Sequence, residues 1–495
     1  MNAETPRAAA LVLPAHRGVY RGGRWHAPMS GRVAPTLNPS TGAALADVAV
    51  SSAQDVEAAV ADAQRGFAEW KAVAPLERAR ILRQAAAILR TNADELALID
   101  AANCGNPVHE MMRDAQVAAA QLDFFAGLVT EMKGASIPMG PDAVNFSVRE
   151  PLGVVARIFP FNHPFMFAAG KSAAPLAAGN AVIVKPPDQA PLSSLRLAEL
   201  VDGLFPAGVF NVLPGDRDTG AALAAHHGVA MVALIGSVPA GRAVMRAASD
   251  TVKPLLLELG GKNALIAYPD ADPDDVAAGA VGGMNFTWCG QSCGSTSRAF
   301  VHRAIYDAVI ERVKARVAAF KPGLATDAAT TMGAIVSAAQ LERVLGYIAS
   351  ARGEGARLVY GGNRPSDPAL QGGFFVEPTV FCDVTPSMRI AREEIFGPVL
   401  AIMPWADEAE MLQQVNAVDY GLTCSIWTRD LDTALRTAAS VQAGYVWINE
   451  VGRHFLGAPF GGVKQSGLGR EECLAELLAF TQEKNIHVRL ARRAG

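Results

Sequence analysis

The stretch "GVVARIF" at residues 153–159 is the first of four short runs that decide the fold. The others are "AVIVK" at 181–185, "VALIG" at 232–236 and "NALIAY" at 263–268. Each run is almost continuously apolar, and Ala-rich helical segments separate them. Strands that are apolar on both faces and alternate with helices are typical of a parallel sheet covered on both sides. The sequence therefore predicts the α/β class.

The rest of the chain extends this pattern in both directions. Apolar residues that recur every three or four positions predict helices at 53–71, 75–103 and 107–131. Two doubly wound, Rossmann-like domains with a cleft between them are therefore predicted, and the break between them falls near "LGGKN" at 259–263. Five further apolar runs predict the second sheet: "SRAFVH" (297–302), "ARLVYGG" (356–362), "VLAIMPW" (399–405), "LTCSIW" (422–427) and "YVWIN" (445–449).

Composition excludes several classes of function. The net charge of −4 argues against a nucleic-acid partner or an anionic membrane surface. No apolar run reaches the roughly 18 residues that span a bilayer, so no membrane segment is predicted. The six cysteines follow no disulfide-framework spacing, which predicts unpaired thiols and a cytoplasmic location.

The stretch "NFTWCGQSCGSTSR" at 285–298 contains too many candidate nucleophiles. Its G-x-S-x-G pattern suggests Ser292 as a hydrolase nucleophile, but that motif needs a strand before it. Here Asp272 and Pro273 open a predicted helix instead. Cys293 remains either as a thiol nucleophile, in a thiol protease or another enzyme, or as a buried structural cysteine. A metal site at the two cysteines of this stretch lacks a second ligand pair, so no metal is predicted.

Two other segments supply partners for a thiol. Glu258 ends an apolar strand in "LLLELGGKN" (255–263), where poor solvation raises a carboxyl pKa and suits a general base. Asn162 follows a buried strand in "FPFNHPF" (159–165), where an amide can donate to a developing oxyanion. Each residue alone could equally be an ordinary salt-bridge or turn residue.

The residues that follow two predicted strands indicate a dinucleotide-binding site. "VIVKPPDQAP" (182–191) places Lys185 and Asp188 at the carboxyl end of a predicted parallel strand, where dinucleotides bind. "ALIGSVPAGRAV" (233–244) predicts a strand, a Gly-Ser turn and a helix whose N-terminus faces a phosphate. No G-x-G-x-x-G occurs in the chain, so the turn must be a variant.

Together these motifs resemble the NAD(P)-dependent aldehyde dehydrogenase superfamily, in its hydrolytic form that does not acylate CoA. The similarity extends over nearly the whole chain. It is carried by "NPSTG" (38–42), "FPFNHPF", "VKPPDQAP", "LIGS", "LELGGKN", "GQSCGSTSR", "EEIFGPV" (393–399) and "PFGGVKQSGLGREE" (459–472).

The resemblance implies a role for each catalytic candidate. Cys293 would form a thiohemiacetal and then a thioester, while Asn162 holds the oxyanion. Glu258 would activate the hydrolytic water, and Lys171 and Glu471 would relay its proton. A CoA-acylating semialdehyde dehydrogenase is the first alternative, but such relatives lack the carboxylate of Glu258. A betaine-aldehyde-type amino aldehyde dehydrogenase is the second.

The resemblance also implies the cofactor NAD, with NADP as the alternative. Asp188 stands where relatives commonly carry Glu, and an acid there should repel a 2′-phosphate and favour NAD. The positions that the resemblance assigns to the cofactor are Ile158, Phe159, Phe161, Lys185, Asp188, Gly215, Gly236, Ser237, Leu259, Glu394 and Phe396.

The implied substrate pocket departs from many relatives. Loss of bulk at Gly170 is expected to widen the tunnel, while Arg453 and His454 add donors and positive charge. We therefore expect a small-molecule substrate that is a polar, anionic or hydroxylated aromatic aldehyde. The positions implied for the pocket are His163, Gly170, Thr287, Arg453, His454 and Phe460.

The resemblance finally implies the domain organisation and a homodimer or homotetramer. Residues 1–132 and 152–258 would form the NAD-binding domain, and 259–478 the catalytic domain. Residues 133–151 and 479–495 would form a small β flap that pairs between subunits and covers exposed strand edges.

Overall fold

The computed structural model describes residues 11–490; the predicted domain segments at 1–10 and 491–495 lie outside it. Its first sheet has eight strands within the described range, and its five central strands, from Phe210–Val212 to Leu255–Glu258, are parallel. In spatial order the strands are Arg24–His26, Val19–Arg21, Phe210–Val212, Ala181–Lys185, Val154–Ile158, Met231–Ile235, Leu255–Glu258 and Gly467–Leu468.

The second sheet has seven strands between residues 264 and 448, and all but its first edge strand run parallel. The predicted α/β class with two parallel-stranded sheets is therefore confirmed. In spatial order these strands are Arg357–Tyr360, Thr379–Cys382, Val399–Trp405, Arg298–His302, Ala264–Ala267, Thr423–Trp427 and Tyr445–Ile448.

The chain passes from one sheet to the other in five residues. Leu255–Glu258 is the last parallel strand of the first sheet, and Ala264–Ala267 lies in the second. Gly467–Leu468 then returns to pair antiparallel with the strand of Glu258, so that Glu258 lies opposite Gly467. The end of the strand that carries Glu258 is thus held by both halves of the chain.

Helices cover the two sheets, and their boundaries correct one prediction. Residues 75–103 form two helices rather than one, because the chain leaves helical geometry at Asn92 (φ −108°, ψ 18°). The Asn92 side chain donates to the Ile88 carbonyl at 2.8 Å, a local bond with which asparagine competes with the helix. The α-helices are Ala53–Trp70, Pro75–Thr91, Ala93–Cys104, Val108–Gly127, Pro164–Gly170, Ala173–Ala178, Leu192–Leu200, Arg217–Ala225, Val238–Ser249, Pro273–Gly283, Tyr306–Val317, Ala338–Gly353, Arg389–Arg392, Glu408–Asn416, Leu431–Ser440 and Leu474–Ala479.

The predicted helix before the cysteine stretch is confirmed. Pro273–Gly283 begins at Asp272, whose carboxylate accepts from the Asp274 amide. A short 3₁₀ turn, Phe286–Trp288, then leads toward Cys293. No strand precedes the G-x-S-x-G pattern, so the geometry that a serine hydrolase requires is absent from this part of the described chain.

Three small sheets complete the fold of the described residues. Thr481–Arg489 pairs antiparallel with Ala143–Pro151 over nine residue pairs, and Ser136–Ile137 lies on the other side of Ala143–Pro151. The other two sheets pair Val33–Leu37 with Ala44–Ala49 and Tyr420–Gly421 with Val463–Lys464. Between residues 11 and 490, no helix has the length and hydrophobicity needed to cross a bilayer.

Candidate active site

A cleft of about 180 Å³ lies where the two sheets meet. Asn162 and Glu258 reach it from the ends of first-sheet strands, and Cys293 reaches it from the segment before a second-sheet strand. The cleft brings together residues that the sequence assigned to catalysis and to the cofactor: Phe161, Asn162, Gly236, Ser237, Glu258, Leu259, Cys293, Glu394 and Phe396.

The thiol of Cys293 is protonated near neutral pH in this environment. Burial raises the pKa of Cys293 to about 12, and the nearby carboxyls of Glu258 and Glu394 add to the shift. Its backbone carbonyl accepts from Asn263 Nδ2 at 2.6 Å, which anchors the nucleophile loop to the crossover between the sheets. The thiol therefore needs a nearby base before it can attack.

Glu258 can act as that base. It is 4% exposed, and neither of its carboxyl oxygens has a hydrogen-bond partner in the described protein. Burial raises its pKa well above the ordinary value and the charge of Glu471 raises it further, while Lys171 and Arg470 oppose the shift. A buried carboxylate with free lone pairs can accept a proton near neutral pH.

A buried charge cluster lies next to Glu258. Lys171 Nζ is 2.9 Å from Glu471 Oε2 and 3.3 Å from Glu472 Oε1. Burial alone would lower the pKa of Lys171, but the carboxylates of Glu471, Glu472 and Glu476 raise it. Arg157 Nη2 also reaches Glu471 Oε1 at 3.3 Å. The predicted relay pair, Lys171 and Glu471, is thus in direct contact and close enough to influence Glu258.

Asn162 is held by its backbone, which leaves its amide free. Its carbonyl accepts from Asn106 Nδ2 at 2.7 Å, and within residues 11–490 its side chain makes no hydrogen bond. The side chain is 4% exposed and lines the same cleft as Cys293. An unused buried amide at this position fits a donor to an oxyanion.

The cofactor end of the cleft fits a ribose and a phosphate. Ser237 caps the helix Val238–Ser249, whose N-terminus opens into the cleft. The half-buried Glu394 carboxylate accepts from the Gly261 amide at 2.9 Å, and a Cβ at Gly260 would collide with it. Helix N-termini bind phosphate, and a carboxylate that retains free lone pairs can accept from ribose hydroxyls.

The other predicted cofactor residues lie outside this cleft. Asp188 and Gly215 line a separate cavity of 310 Å³, together with Arg32 and Asp216. Lys185 is buried, which lowers its pKa, while Asp188 and Asp216 oppose the shift. Ile158 and Phe159 line neither cavity and end the strand beside that of Lys185.

The predicted substrate residues are only partly brought together. His163 packs edge-on against Trp288, at 4.7 Å between ring centroids, beside Thr287. His454 packs on Phe460 at 4.4 Å, and its Nδ1 lies 3.2 Å from Glu472 Oε2. These contacts form two separate small groups of side chains.

Arg453 and Gly170 differ from what the sequence led us to expect. The Arg453 side chain is 65% exposed, lies 3.9 Å from Glu450 and stacks over Phe455, so its charge faces solvent. Gly170 does not widen a tunnel. A Cβ there would collide with Gln121, so the glycine makes room for that side chain.

Four residues of this site were missed from the sequence. Gln340 and Arg343 line the cleft and donate to the carbonyls of Phe396 and Glu394 at 2.8 Å each, which holds that loop. Asp114 and Gln121 lie on the buried face of a predicted helix. Asp114 and Gln121 could have been noticed, because they are polar residues on a helix face that is expected to be apolar. Nothing in the sequence pattern distinguishes Gln340 and Arg343.

The comparisons with known proteins agree with this geometry. The family described as "Aldehyde dehydrogenase family" matches residues 25–486. A curated relative, aldehyde dehydrogenase tropH of Talaromyces stipitatus, is 52% identical over 487 residues, which cover 97% of this chain and 94% of that protein.

Solved structures are similar over almost the full length. The NAD⁺ complex of an aldehyde dehydrogenase from Bacillus cereus is 36% identical with a TM-score of 0.93 and covers 96% of this chain and 97% of that one. A mutant of the P. syringae indole-3-acetaldehyde dehydrogenase AldA, in complex with NAD⁺ and IAA, is 36% identical with a TM-score of 0.94 and covers 98% of each chain. The protein with Cys293, Glu258 and Asn162 in one cleft therefore belongs to the aldehyde dehydrogenase family.

Proposed function

We propose that this enzyme oxidises an aldehyde to its carboxylic acid with NAD, through a covalent intermediate on Cys293. The observation that carries the proposal is the single cleft that unites a thiol, an unpaired buried carboxyl, a free amide and a capped helix N-terminus. These are a nucleophile, a base, an oxyanion donor and a phosphate site. NAD⁺ complexes among the structural relatives support the choice of cofactor.

The first half of the reaction begins with the protonated thiol. Glu258 takes the proton from Cys293 Sγ, and the sulfur bonds to the aldehyde carbon to form a thiohemiacetal. The carbonyl oxygen becomes an oxyanion, and the amide of Asn162 and the Cys293 backbone N–H stabilise it. When bound, NAD would supply the hydride acceptor, and Ser237 and Glu394 would hold it. The loss of hydride from the carbon leaves a thioester on Cys293.

The second half releases the acid. The proton that Glu258 took from the thiol first leaves through Lys171 and Glu471, which contact each other at 2.9 Å. Glu258 then takes a proton from a water molecule, whose oxygen attacks the thioester carbon. The carbon–sulfur bond breaks, and Glu258 returns that proton to the sulfur to restore the thiol. The high pKa of Glu258 lets it accept protons in both halves of the cycle.

The substrate class that we propose is a polar, anionic or hydroxylated aromatic aldehyde. Aromatic rings at Phe460, Trp288 and Phe167, with imidazoles at His163 and His454 among them, favour a flat substrate that carries an oxygen substituent. The relative from P. syringae, named an indole-3-acetaldehyde dehydrogenase, is similar across the whole chain and supports an aromatic aldehyde.

The oligomer and the compartment remain proposals of the same kind. Thr481–Arg489 is an edge strand of nine mostly exposed residues, which favours pairing with a second copy in a homodimer or homotetramer. The division into NAD-binding, catalytic and bridging segments is proposed with the boundaries given above. All six cysteines, which lie within residues 11–490, are free thiols and favour the reducing cytoplasm.

The test is the appearance of NADH at 340 nm with a mixed panel of aldehydes, with Cys293→Ser as the control. We expect turnover in the wild type, loss of turnover in the variant, and one acid formed per NADH. The absence of NADH formation with every aldehyde would overturn the proposal. A strict requirement for CoA, with an acyl-CoA product, would instead favour the CoA-acylating alternative.

A further inference from the structure

Two helices of the described chain meet through matched polar positions. Helix Val108–Gly127 packs against helix Pro164–Gly170, and His163 is the N-cap residue of the second helix. His163 Nδ1 lies 2.7 Å from Asp114 Oδ2. Seven residues later on both helices, Gly170 lies against Gln121. Seven residues are two helical turns, so each helix presents its pair on one face.

Gln121 is buried without a partner. It is 2% exposed, and its Oε1 has no hydrogen-bond partner in the described protein. The side chain fits only because Gly170 carries no Cβ. An unsatisfied buried amide is costly in a folded protein. Because Oε1 is an acceptor, the group that Gln121 can offer to an oxygen from outside the chain is its Nε2 donor.

Trp288 gives a second, independent sign of a polar ligand. Its Nε1 is buried and, within the described residues, unpartnered, and its ring meets the ring of His163 at 89°. An indole N–H is a donor only, and it normally finds an acceptor when buried. In the sequence, Trp288 lies five residues before Cys293, and His163 follows Asn162 directly.

Nearby carboxyls raise the pKa of His163, which favours its charged form. Burial alone would lower its pKa, but the carboxyls of Asp114, Asp100 and Glu110 outweigh burial and raise it. Nδ1 is committed to Asp114, and within residues 11–490 Nε2 makes no hydrogen bond to protein. The imidazolium can therefore donate from Nε2 to an oxygen of a ligand.

We propose that Gln121, His163 and Trp288, here named the polar wall, bind an ionised oxygen of the substrate at the end remote from its aldehyde carbon. The chemical class is an aldehyde that also carries a carboxylate. This inference rests on the proposed function and deepens it. It assigns recognition to the buried His163 rather than to Arg453, whose guanidinium faces solvent beside Glu450.

The experiment compares matched pairs of aldehydes that differ only in charge: benzaldehyde with 4-formylbenzoate, and hexanal with 6-oxohexanoate. The readout is the ratio of kcat/KM for the charged member to that for the uncharged member, with NAD in excess. We expect the ratio to favour the carboxylates in the wild type. A hydrogen bond to a charged group predicts a drop of about tenfold or more in His163→Phe, and a smaller drop in Gln121→Leu.

Two further variants keep the result interpretable. His163→Gln retains a donor to Asp114 without the charge, so it should lower the ratio even if His163→Phe folds poorly. Val117→Ala changes the solvent side of the same helix, where Val117 is 41% exposed, and should leave the ratio unchanged.

Different outcomes separate this inference from the proposed function. If no aldehyde yields NADH, the proposed function fails. If aldehydes are oxidised but charged members are not preferred, or the preference survives both His163 variants, the polar wall is wrong. The polar wall is equally wrong if Arg453→Ala alone abolishes the preference.

Discussion

The two sides of Cys293 differ in how they are built. On the cofactor side, the binding groups are a capped helix end, a glycine crossover and the backbone around Glu394. On the substrate side, they are side chains that meet from separate helices and are incompletely paired. Binding by backbone groups requires a particular local sequence, whereas individual side chains can be substituted one at a time. We therefore expect the first side to depend on its local backbone sequence and the second side to determine the choice of substrate.

The largest effect is expected at the junction of the two sides, in Glu258→Gln. Turnover should fall by about 10²–10⁴-fold, because the amide accepts no proton from thiol or water. Stopped-flow measurement of NADH at neutral pH should show no rapid first turnover. If one equivalent of NADH forms rapidly and further turnover then stops, Cys293 loses its proton to a group other than Glu258.

The same substitution has a pH signature. Because the pKa of Glu258 is raised, the wild type should lose kcat/KM as pH falls through that pKa, where the carboxyl becomes protonated. In Glu258→Gln, kcat/KM should not show this fall at low pH. If the fall of kcat/KM at low pH persists in the variant, a residue other than Glu258 causes it.

Asn162→Ala should follow in size. Removal of one oxyanion donor costs about 10²–10³-fold in kcat, and NAD affinity should change little. Steady-state kinetics and NAD titration by protein fluorescence measure the two effects separately. A kcat loss of only a few-fold would show that the Cys293 backbone amide suffices.

A smaller effect distinguishes the substrate side. The preference for 4-formylbenzoate over benzaldehyde should be strongest below the raised pKa of His163 and should decline by about tenfold as pH rises through it, since neutral imidazole loses its charge. Asp114, Asp100 and Glu110 surround the ring, and burial raises the pKa of Asp100 to about 7. The ratio of kcat/KM, followed from about pH 6 to about pH 10, should be flat in His163→Gln. If the ratio declines with pH in that variant as it does in the wild type, His163 is not the residue whose titration causes the decline.

The smallest effect concerns the choice of cofactor. The carboxylate of Asp188 should make kcat/KM higher with NAD than with NADP. Asp188→Ser should lower the ratio of these two kcat/KM values by only a few-fold, because exposed charges are strongly screened. Arg32 lines the same cavity and is paired with Asp216 at 3.1 Å. Equal use of NADP by the wild type would point to Arg32 as a phosphate ligand and would refute the NAD preference.

Sequence patterns predicted the sheets, because buried parallel strands are uniform apolar runs. They also identified residues now found in one cleft, since Asn162, Glu258 and Glu394 each follow or end a recognisable motif. The break at Asn92 was missed because a side-chain bond to the backbone leaves no trace in hydrophobic periodicity. Gln121 and Asp114 could not be placed, because their meaning depends on a second helix that lies about fifty residues away.

The five-residue crossover after Glu258 has a consequence for how the protein can be divided. Glu258, the proposed base, lies at one end of this link, while Asn263 at the other end donates to the carbonyl of Cys293 at 2.6 Å. Gly467 then pairs back onto the strand of Glu258 from the far end of the sequence. Neither half of the chain carries a working site alone. A split enzyme cut between residues 259 and 263 would need both fragments, docked through that returning strand, before any turnover could be recovered.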